Sequence, residues 1–168
     1  AAEKLVDRGV QLAILGSGDD RYQSALDQLR DRVPDQVGVE HRFNDRLARL
    51  IYGGSDMFLM PSRFEPCGLG QLIAMRYGSL PIVRATGGLK DSVLDAGRYP
   101  KRGTGFLFEP YSPEGLIGAI DRALKAFANT ERWVKIQQRA LAADFSWQAS
   151  AAQYVELYRK AIVIHAKA

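Results

Sequence analysis

The chain has 168 residues, of which 46% are hydrophobic and 25% charged, a composition typical of one folded domain. Its single cysteine, Cys67, excludes an internal disulfide, and its two isolated histidines give no Cys/His cluster, so we expect no metal site. The net charge of +4 favours an anionic small partner, whereas scattered, interleaved basic residues argue against nucleic acid. Because no apolar run approaches the ~20 residues that span a bilayer, we expect no membrane partner.

Short apolar runs alternate with amphipathic stretches along most of the chain. Strands are predicted at residues 10–15, 37–39, 56–61, 80–85 and 105–109. Helices are predicted at residues 19–33, 44–53 (with Asn44 as the N-cap), about 67–77, 89–95, 113–128, about 130–142 and 147–164. This alternation, with near-continuously apolar strands, indicates an α/β fold: a Rossmann-like, doubly wound parallel sheet covered on both faces, with C-terminal helices.

The start of the sequence resembles the tail of a helix placed directly before the first strand. A parallel sheet would normally have a strand before such a helix. We therefore expect residues 1–168 to be a single domain that is an N-terminally truncated fragment, with 147–164 as its terminal helix.

Three glycine-bearing turns follow predicted strands, at the edge where parallel sheets bind ligands. The first, at 16–18, resembles the start of a dinucleotide fingerprint, but Arg21 replaces the third glycine. A plain strand-to-helix turn and a nucleotide contact both remain open for it. The last, at 86–88, is either a plain turn or a phosphate site flanked by Arg84 and Lys90.

The middle turn lies in the segment PSRFEPCGLGQL, residues 61–72, which carries one carboxylate, Glu65. Pro66 suits the first turn of a helix, and the residues after it leave backbone N–H groups open to a phosphate. Alternatively, Ser62 and Glu65 form an S-x-x-E capping box, with Glu65 bonded to the Ser62 amide. Residue types alone leave both a capping and a catalytic role open for Glu65.

Three segments, in this order, resemble bacterial glycogen synthases and plant starch synthases. They are PSRFEPCGLGQLIAMRYGSLPIVRATGGLKDSV at 61–93, GTGFLFEP at 103–110 and ADFSWQASAAQYVELYRKA at 143–161. The resemblance implies the C-terminal, donor-binding domain of a GT-B glycosyltransferase of family 5, in which two Rossmann-like domains face a cleft. Such enzymes transfer glucose from ADP-glucose to the non-reducing end of an α-1,4-glucan, with retention at the anomeric carbon and without a metal ion or other cofactor.

The resemblance also implies roles for individual residues. Glu65, the glutamate of the E-P-C-G-L motif, is the catalytic candidate beside the donor glucose. The amides of Cys67, Gly68, Leu69 and Gly70 are the candidate contacts to the sugar hydroxyls and the diphosphate. Many relatives have Thr at position 70, so here only the amide remains. Phe43 is the expected neighbour of adenine, and Gly16, Thr86 and Gly87 complete the substrate-binding candidates.

The chain departs from the family at two places. Ile73 stands where animal and archaeal relatives carry a second glutamate, as expected of the bacterial and plant branch. An Arg and a Lys that bind the diphosphate in relatives, and the N-terminal domain that binds the glucan acceptor, precede the matched region. The family places the enzyme in the cytoplasm if the source is bacterial and in the plastid if it is a plant.

Two other functions use the same turns. One is a nucleotide-binding or interaction module without catalysis. The other is a different GT-B glycosyltransferase, such as a sucrose synthase. A phosphorylase is disfavoured because the sequence has no pyridoxal-phosphate lysine motif.

We predict that the isolated 168-residue chain folds but does not extend a glucan, because the upstream Arg and Lys and the acceptor domain are missing. The measurement is transfer of labelled glucose from ADP-glucose to a glycogen primer, with a full-length glycogen synthase as the positive control. Glucan extension by the chain alone would contradict this expectation.

Overall fold

The computed structural model describes residues 1–166 and forms the predicted alternation of strands and helices. The strands are β1 (Leu12–Leu15), β2 (Val37–Glu40), β3 (Met57–Met60), β4 (Leu80–Arg84) and β5 (Phe106–Phe108). The helices are α1 (Ala2–Val6), α2 (Asp20–Arg32), α3 (Asp45–Gly54), α4 (Gly70–Tyr77), α5 (Gly87–Ser92), α6 (Pro113–Phe127), α7 (Thr130–Ala142) and α8 (Trp147–His165). The predicted N-cap of α3 is confirmed, since Asn44 Oδ1 accepts from the Leu47 amide at 2.9 Å.

The strands described here form two parallel sheets rather than one continuous sheet. β1 pairs with β2, and β3, β4 and β5 pair in that order. The expected continuous sheet is not formed by residues 1–166, because β1 and β3 share no ladder. Both sheets are parallel and their strands alternate with helices along the chain, so the α/β architecture is as predicted.

The hydrophobic core is centred on β4. Residues 80–83 are all buried, and because successive side chains of a strand point to opposite faces, the sheet is covered on both sides. Helices α4, α6 and α7 pack against this sheet, and α7 also packs against α4 and α6. Phe106 of β5 is fully buried, and its ring stacks on Trp133 of α7 with centroids 6.4 Å apart. In β4 the carboxyl-terminal residue, Arg84, is the one that is not buried.

Helix α8 lies largely outside this core. All its residues are exposed except Ala149 and Ser150, which are half-buried. Large apolar side chains on its surface include Trp147, Tyr154 and Ile162. In the part of the chain covered by the structure, neither α8 nor any other helix is long and apolar enough to cross a membrane.

Replacing Phe106 by Ala should lower the free energy of unfolding by about 3–5 kcal/mol, because a fully buried ring would leave a cavity against Trp133. The matched control is Phe43→Ala, whose ring is 91% exposed, with an expected change below about 0.5 kcal/mol. Urea denaturation followed by circular dichroism measures both. Equal losses for the two variants would contradict the described core.

Candidate functional site

Helix α4 begins at Gly70, later than the sequence predicts. Gly68 has a φ of +74°, a conformation that residues with a side chain rarely adopt, and the preceding residues therefore stay outside the helix. Pro66 does not occupy the first helical turn. The capping-box hypothesis is wrong, because within residues 1–166 no hydrogen bond joins the Glu65 carboxylate to the Ser62 amide.

Glu65 lies in the loop that follows β3, which we call the Glu65 loop (residues 62–69). Its side chain is half-buried, and no hydrogen bond or ion pair to another described residue engages its carboxylate. The carboxylate is therefore available at the carboxyl edge of the sheet. In residues 1–166 no group of three His, Cys, Asp or Glu side chains is placed to hold a metal ion.

Carbonyl groups of the Glu65 loop are bonded to the neighbouring turns. Arg84, the last residue of β4, donates through its guanidinium to the Ser62 carbonyl at 3.3 Å and to the Arg63 carbonyl. The Gly88 N–H donates to the carbonyls of Glu65 and Pro66, both at 3.2 Å. Arg84, proposed from the sequence as a residue that faces a phosphate, instead holds the loop's backbone in this structure.

The N–H groups of the Glu65 loop point away from the hydrogen bonds that its carbonyl groups accept. A peptide group is planar and trans, so its C=O and N–H point in opposite directions, and no peptide bond of the described chain is cis. Because the Pro66 carbonyl is turned toward Gly88, the Cys67 N–H is turned outward. Among the described residues, nothing accepts a hydrogen bond from the amides of Cys67, Gly68, Leu69 and Gly70.

The short helices α1 and α5 and the helix α4 begin without a side-chain cap, and of these three α4 is the longest. Helices α2, α3, α6, α7 and α8 each begin with an Asp, Asn or Ser whose side chain accepts from a first-turn amide. The N-cap of α4 is Leu69, which makes no such bond and is 67% exposed. The first amides of α4 and the positive end of its dipole are therefore available to an anion.

The glycine turn before α5 supports the Glu65 loop by close packing. A Cβ on Gly87 would lie 2.0 Å from the Glu65 carbonyl oxygen, and one on Gly88 would lie 2.2 Å from the Cys67 carbonyl oxygen. Gly87 also has a φ of +45°. The Thr86 N–H is bonded to the Arg84 carbonyl at 2.8 Å. The contacts of Thr86 and Gly87 with a substrate stay predictions.

Gly16 and Phe43 lie at the ends of the other two strands. Gly16, with a φ of +146°, donates its N–H to the Glu40 carbonyl at 3.0 Å, and Phe43 is almost fully exposed. His41 Nε2 lies 3.0 Å from a carboxylate oxygen of Asp27, a hydrogen bond that is the largest cause of the lowered pKa of Asp27. The residues predicted from the sequence thus lie in two places. Gly16 and Phe43 follow β1 and β2, whereas the Glu65 loop and the glycine turn at the start of α5 follow β3 and β4 and are in direct contact.

Gly70 has a packing role that the sequence does not reveal. A Cβ at this position would lie 3.0 Å from the Phe58 ring and 3.2 Å from the Met60 sulfur, both on β3. A threonine at this position would need these side chains to shift by a few tenths of an ångström. Glycine at position 70 therefore fits against Phe58 and Met60 without any shift of their side chains.

The family model described as "Glycosyl transferases group 1" matches residues 1–140. The chain belongs to the group 1 glycosyltransferases. It is 54% identical, over 98% of its length, to the glycogen synthase of Syntrophotalea carbinolica, and 47% identical, over 95%, to that of Moorella thermoacetica. It spans about a third of each relative, 34% and 33% respectively. The resemblance to glycogen synthases is confirmed.

Solved structures agree with the sequence comparison. The catalytic domain of starch synthase IV from Arabidopsis thaliana, bound to ADP and acarbose, matches with a TM-score of 0.83 and 36% identity. That match covers 97% of this chain and 34% of the other. Sucrose-phosphate synthase from Thermosynechococcus elongatus matches with a TM-score of 0.59 and 26% identity, over 90% of this chain and 38% of the other. The predicted fold class, an α/β fold with parallel sheets of the GT-B glycosyltransferase type, is confirmed.

Gly88→Ala should lower the free energy of unfolding by about 1–3 kcal/mol, because its Cβ would overlap the Cys67 backbone. The matched control is Gly118→Ala in α6, where a Cβ would meet no atom within 4 Å and the better helix former should stabilise by up to about 1 kcal/mol. Thermal unfolding measures whether each substitution lowers or raises the stability of the protein. Stabilisation by both substitutions would contradict the described packing.

Proposed function

We propose that this chain is the donor-binding part of an α-glucan synthase. The enzyme transfers glucose from ADP-glucose to the non-reducing end of an α-1,4-glucan and retains the anomeric configuration. The observation that carries the proposal is the Glu65 loop, in which outward amides and an available carboxylate occur together at the carboxyl edge of the sheet. The similarity to proteins named glycogen synthase and starch synthase IV supports this substrate class.

The amides act on the leaving group. As the bond between glucose and the diphosphate breaks, negative charge develops on ADP. The amides of Cys67, Gly68, Leu69 and Gly70 stabilise that charge, and loss of one such donor typically costs on the order of 10²-fold in rate. The carbonyls of the same peptide groups, which belong to Pro66, Cys67, Gly68 and Leu69, are already hydrogen-bonded to the protein, so the N–H groups are aligned before the donor arrives.

Glu65 acts on the opposite charge. The sugar acquires oxocarbenium-like positive character as ADP departs, and a nearby carboxylate stabilises it or holds the sugar hydroxyls. A retaining glycosidase needs two carboxyl groups, a nucleophile and an acid/base, and Glu65 alone does not fill both roles. We therefore assign it an electrostatic and positioning role, in a transfer that uses no metal ion or other cofactor.

The remaining candidates complete the donor site in this proposal. Phe43 lies beside adenine, while Gly16, Thr86 and Gly87 line the approach to the nucleotide sugar. The glucan acceptor is held by another part of the full-length protein, since the chain spans only about a third of its relatives. Because the two glycogen synthases above come from bacteria, the proposed location is the bacterial cytoplasm.

The alternative, a nucleotide-binding module without chemistry, explains the amides but not Glu65. A carboxylate beside a diphosphate site repels the ligand, whereas an enzyme gains from it when positive charge develops on the sugar. Another GT-B glycosyltransferase is disfavoured by the weaker match to sucrose-phosphate synthase, with a TM-score of 0.59 against 0.83 for starch synthase IV.

In the full-length enzyme, Glu65→Gln should lower kcat by on the order of 10²-fold or more while ADP binds at least as tightly as before, because the substitution removes a charge needed only during transfer. The control is Glu131→Gln, an exposed carboxylate on α7. Steady-state kinetics with ADP-glucose and calorimetry with ADP provide the two measurements. Near-normal turnover by Glu65→Gln would show that the assigned role is wrong.

A further inference from the structure

Gln71, in the first turn of α4, has no exposed surface. Among residues 1–166, only Gln71 and Ser79 are polar or charged residues in the buried class. Burying an amide costs free energy unless hydrogen bonds compensate, and an apolar side chain would fill a helix core position without that cost. The Gln71 Nε2 makes hydrogen bonds, whereas its buried Oε1 has no partner among the described residues, so the value of Gln71 lies in the bonds of its amide nitrogen.

The Gln71 amide bridges the two turns of the site. Its Nε2 lies 3.2 Å from the Cys67 carbonyl oxygen, 2.9 Å from that of Gly68 and 3.0 Å from Ser92 Oγ. The Ser92 hydroxyl in turn donates to the Gly88 carbonyl at 2.6 Å. Since carbonyl oxygens only accept hydrogen bonds, the amide nitrogen must face them. Gln71 and Ser92 thus join the Glu65 loop to the start of α5.

We propose that Gln71 is a positioning residue for the donor's diphosphate. By holding the carbonyls of Cys67 and Gly68 inward, it directs the N–H groups of Gly68 and Leu69 outward, because C=O and N–H point in opposite directions in a planar trans peptide. Ser92 keeps the Gln71 amide in place. This role rests on the proposed function, which supplies the diphosphate.

The test compares ligands with and without phosphate in the full-length enzyme. Gln71→Met keeps the length of the side chain but removes its donors. ADP should bind about tenfold or more weakly, and kcat/KM for ADP-glucose should fall at least as much, because the amides no longer point at the anion. Adenosine affinity, measured by ligand-observed NMR, should not change, because adenosine carries no phosphate.

The matched control is Gln137→Met. Gln137 Nε2 also donates to a glycine carbonyl, that of Gly78 at 2.9 Å, at the opposite end of α4. We expect this variant to lose thermal stability without losing ADP affinity. If folded Gln71→Met binds ADP like wild type, or if ADP and adenosine weaken equally, the positioning role is overturned.

Ser92→Ala provides a gentler second variant, which decides the question if Gln71→Met does not fold. It removes one partner of the Gln71 amide and should weaken ADP binding about threefold or more, again without changing adenosine binding. Unchanged ADP affinity in Ser92→Ala would then overturn the role. A wild-type enzyme that neither binds ADP nor uses ADP-glucose would overturn the proposed function itself, before any variant is compared.

Discussion

The left-handed backbone at Gly68 is the constraint on which the rest of the site depends. With φ at +74°, Gly68 keeps the residues before it out of α4 and delays the start of that helix to Gly70. A side chain here would add a steric cost to the backbone strain, since a Cβ would lie 2.6 Å from the Gln71 side-chain oxygen. The position of Glu65 outside the helix follows from this residue, and the outward amides follow from it together with the hydrogen bonds that Gly88 and Gln71 donate to the loop's carbonyls.

Local patterns predict the elements well and the start of α4 poorly. The α3 cap at Asn44 is confirmed because a cap is an interaction between residues three apart. Pro66 and the S-x-x-E pattern are local signals too, and both favour an earlier helix start. The contact that opposes them, between Gly88 and the Cys67 backbone, joins residues far apart in sequence. No short-range pattern contains that information.

The same limit explains the two side chains whose roles the sequence conceals. The sequence leaves Arg84 open between a phosphate site and a plain turn, and it assigns no role to Gln71. In the structure, Arg84 and Gln71 donate to backbone carbonyls of one loop, from its two ends. Backbone acceptors are present at every residue, so the sequence gives no sign of which of them will lie inside the fold and need a donor.

The two hypotheses for Glu65 can now be separated on physical grounds. The carboxylate of a capping glutamate accepts a hydrogen bond from a backbone amide, and that amide is then no longer available to an anion. In this fold the carboxylate and the amides of the same loop are both left uncommitted by the described residues. Because one short segment carries both charges, their separation is set by backbone geometry rather than by the docking of two elements. In the proposed transfer, such a loop presents opposite charges to the two halves of the breaking glycosidic bond.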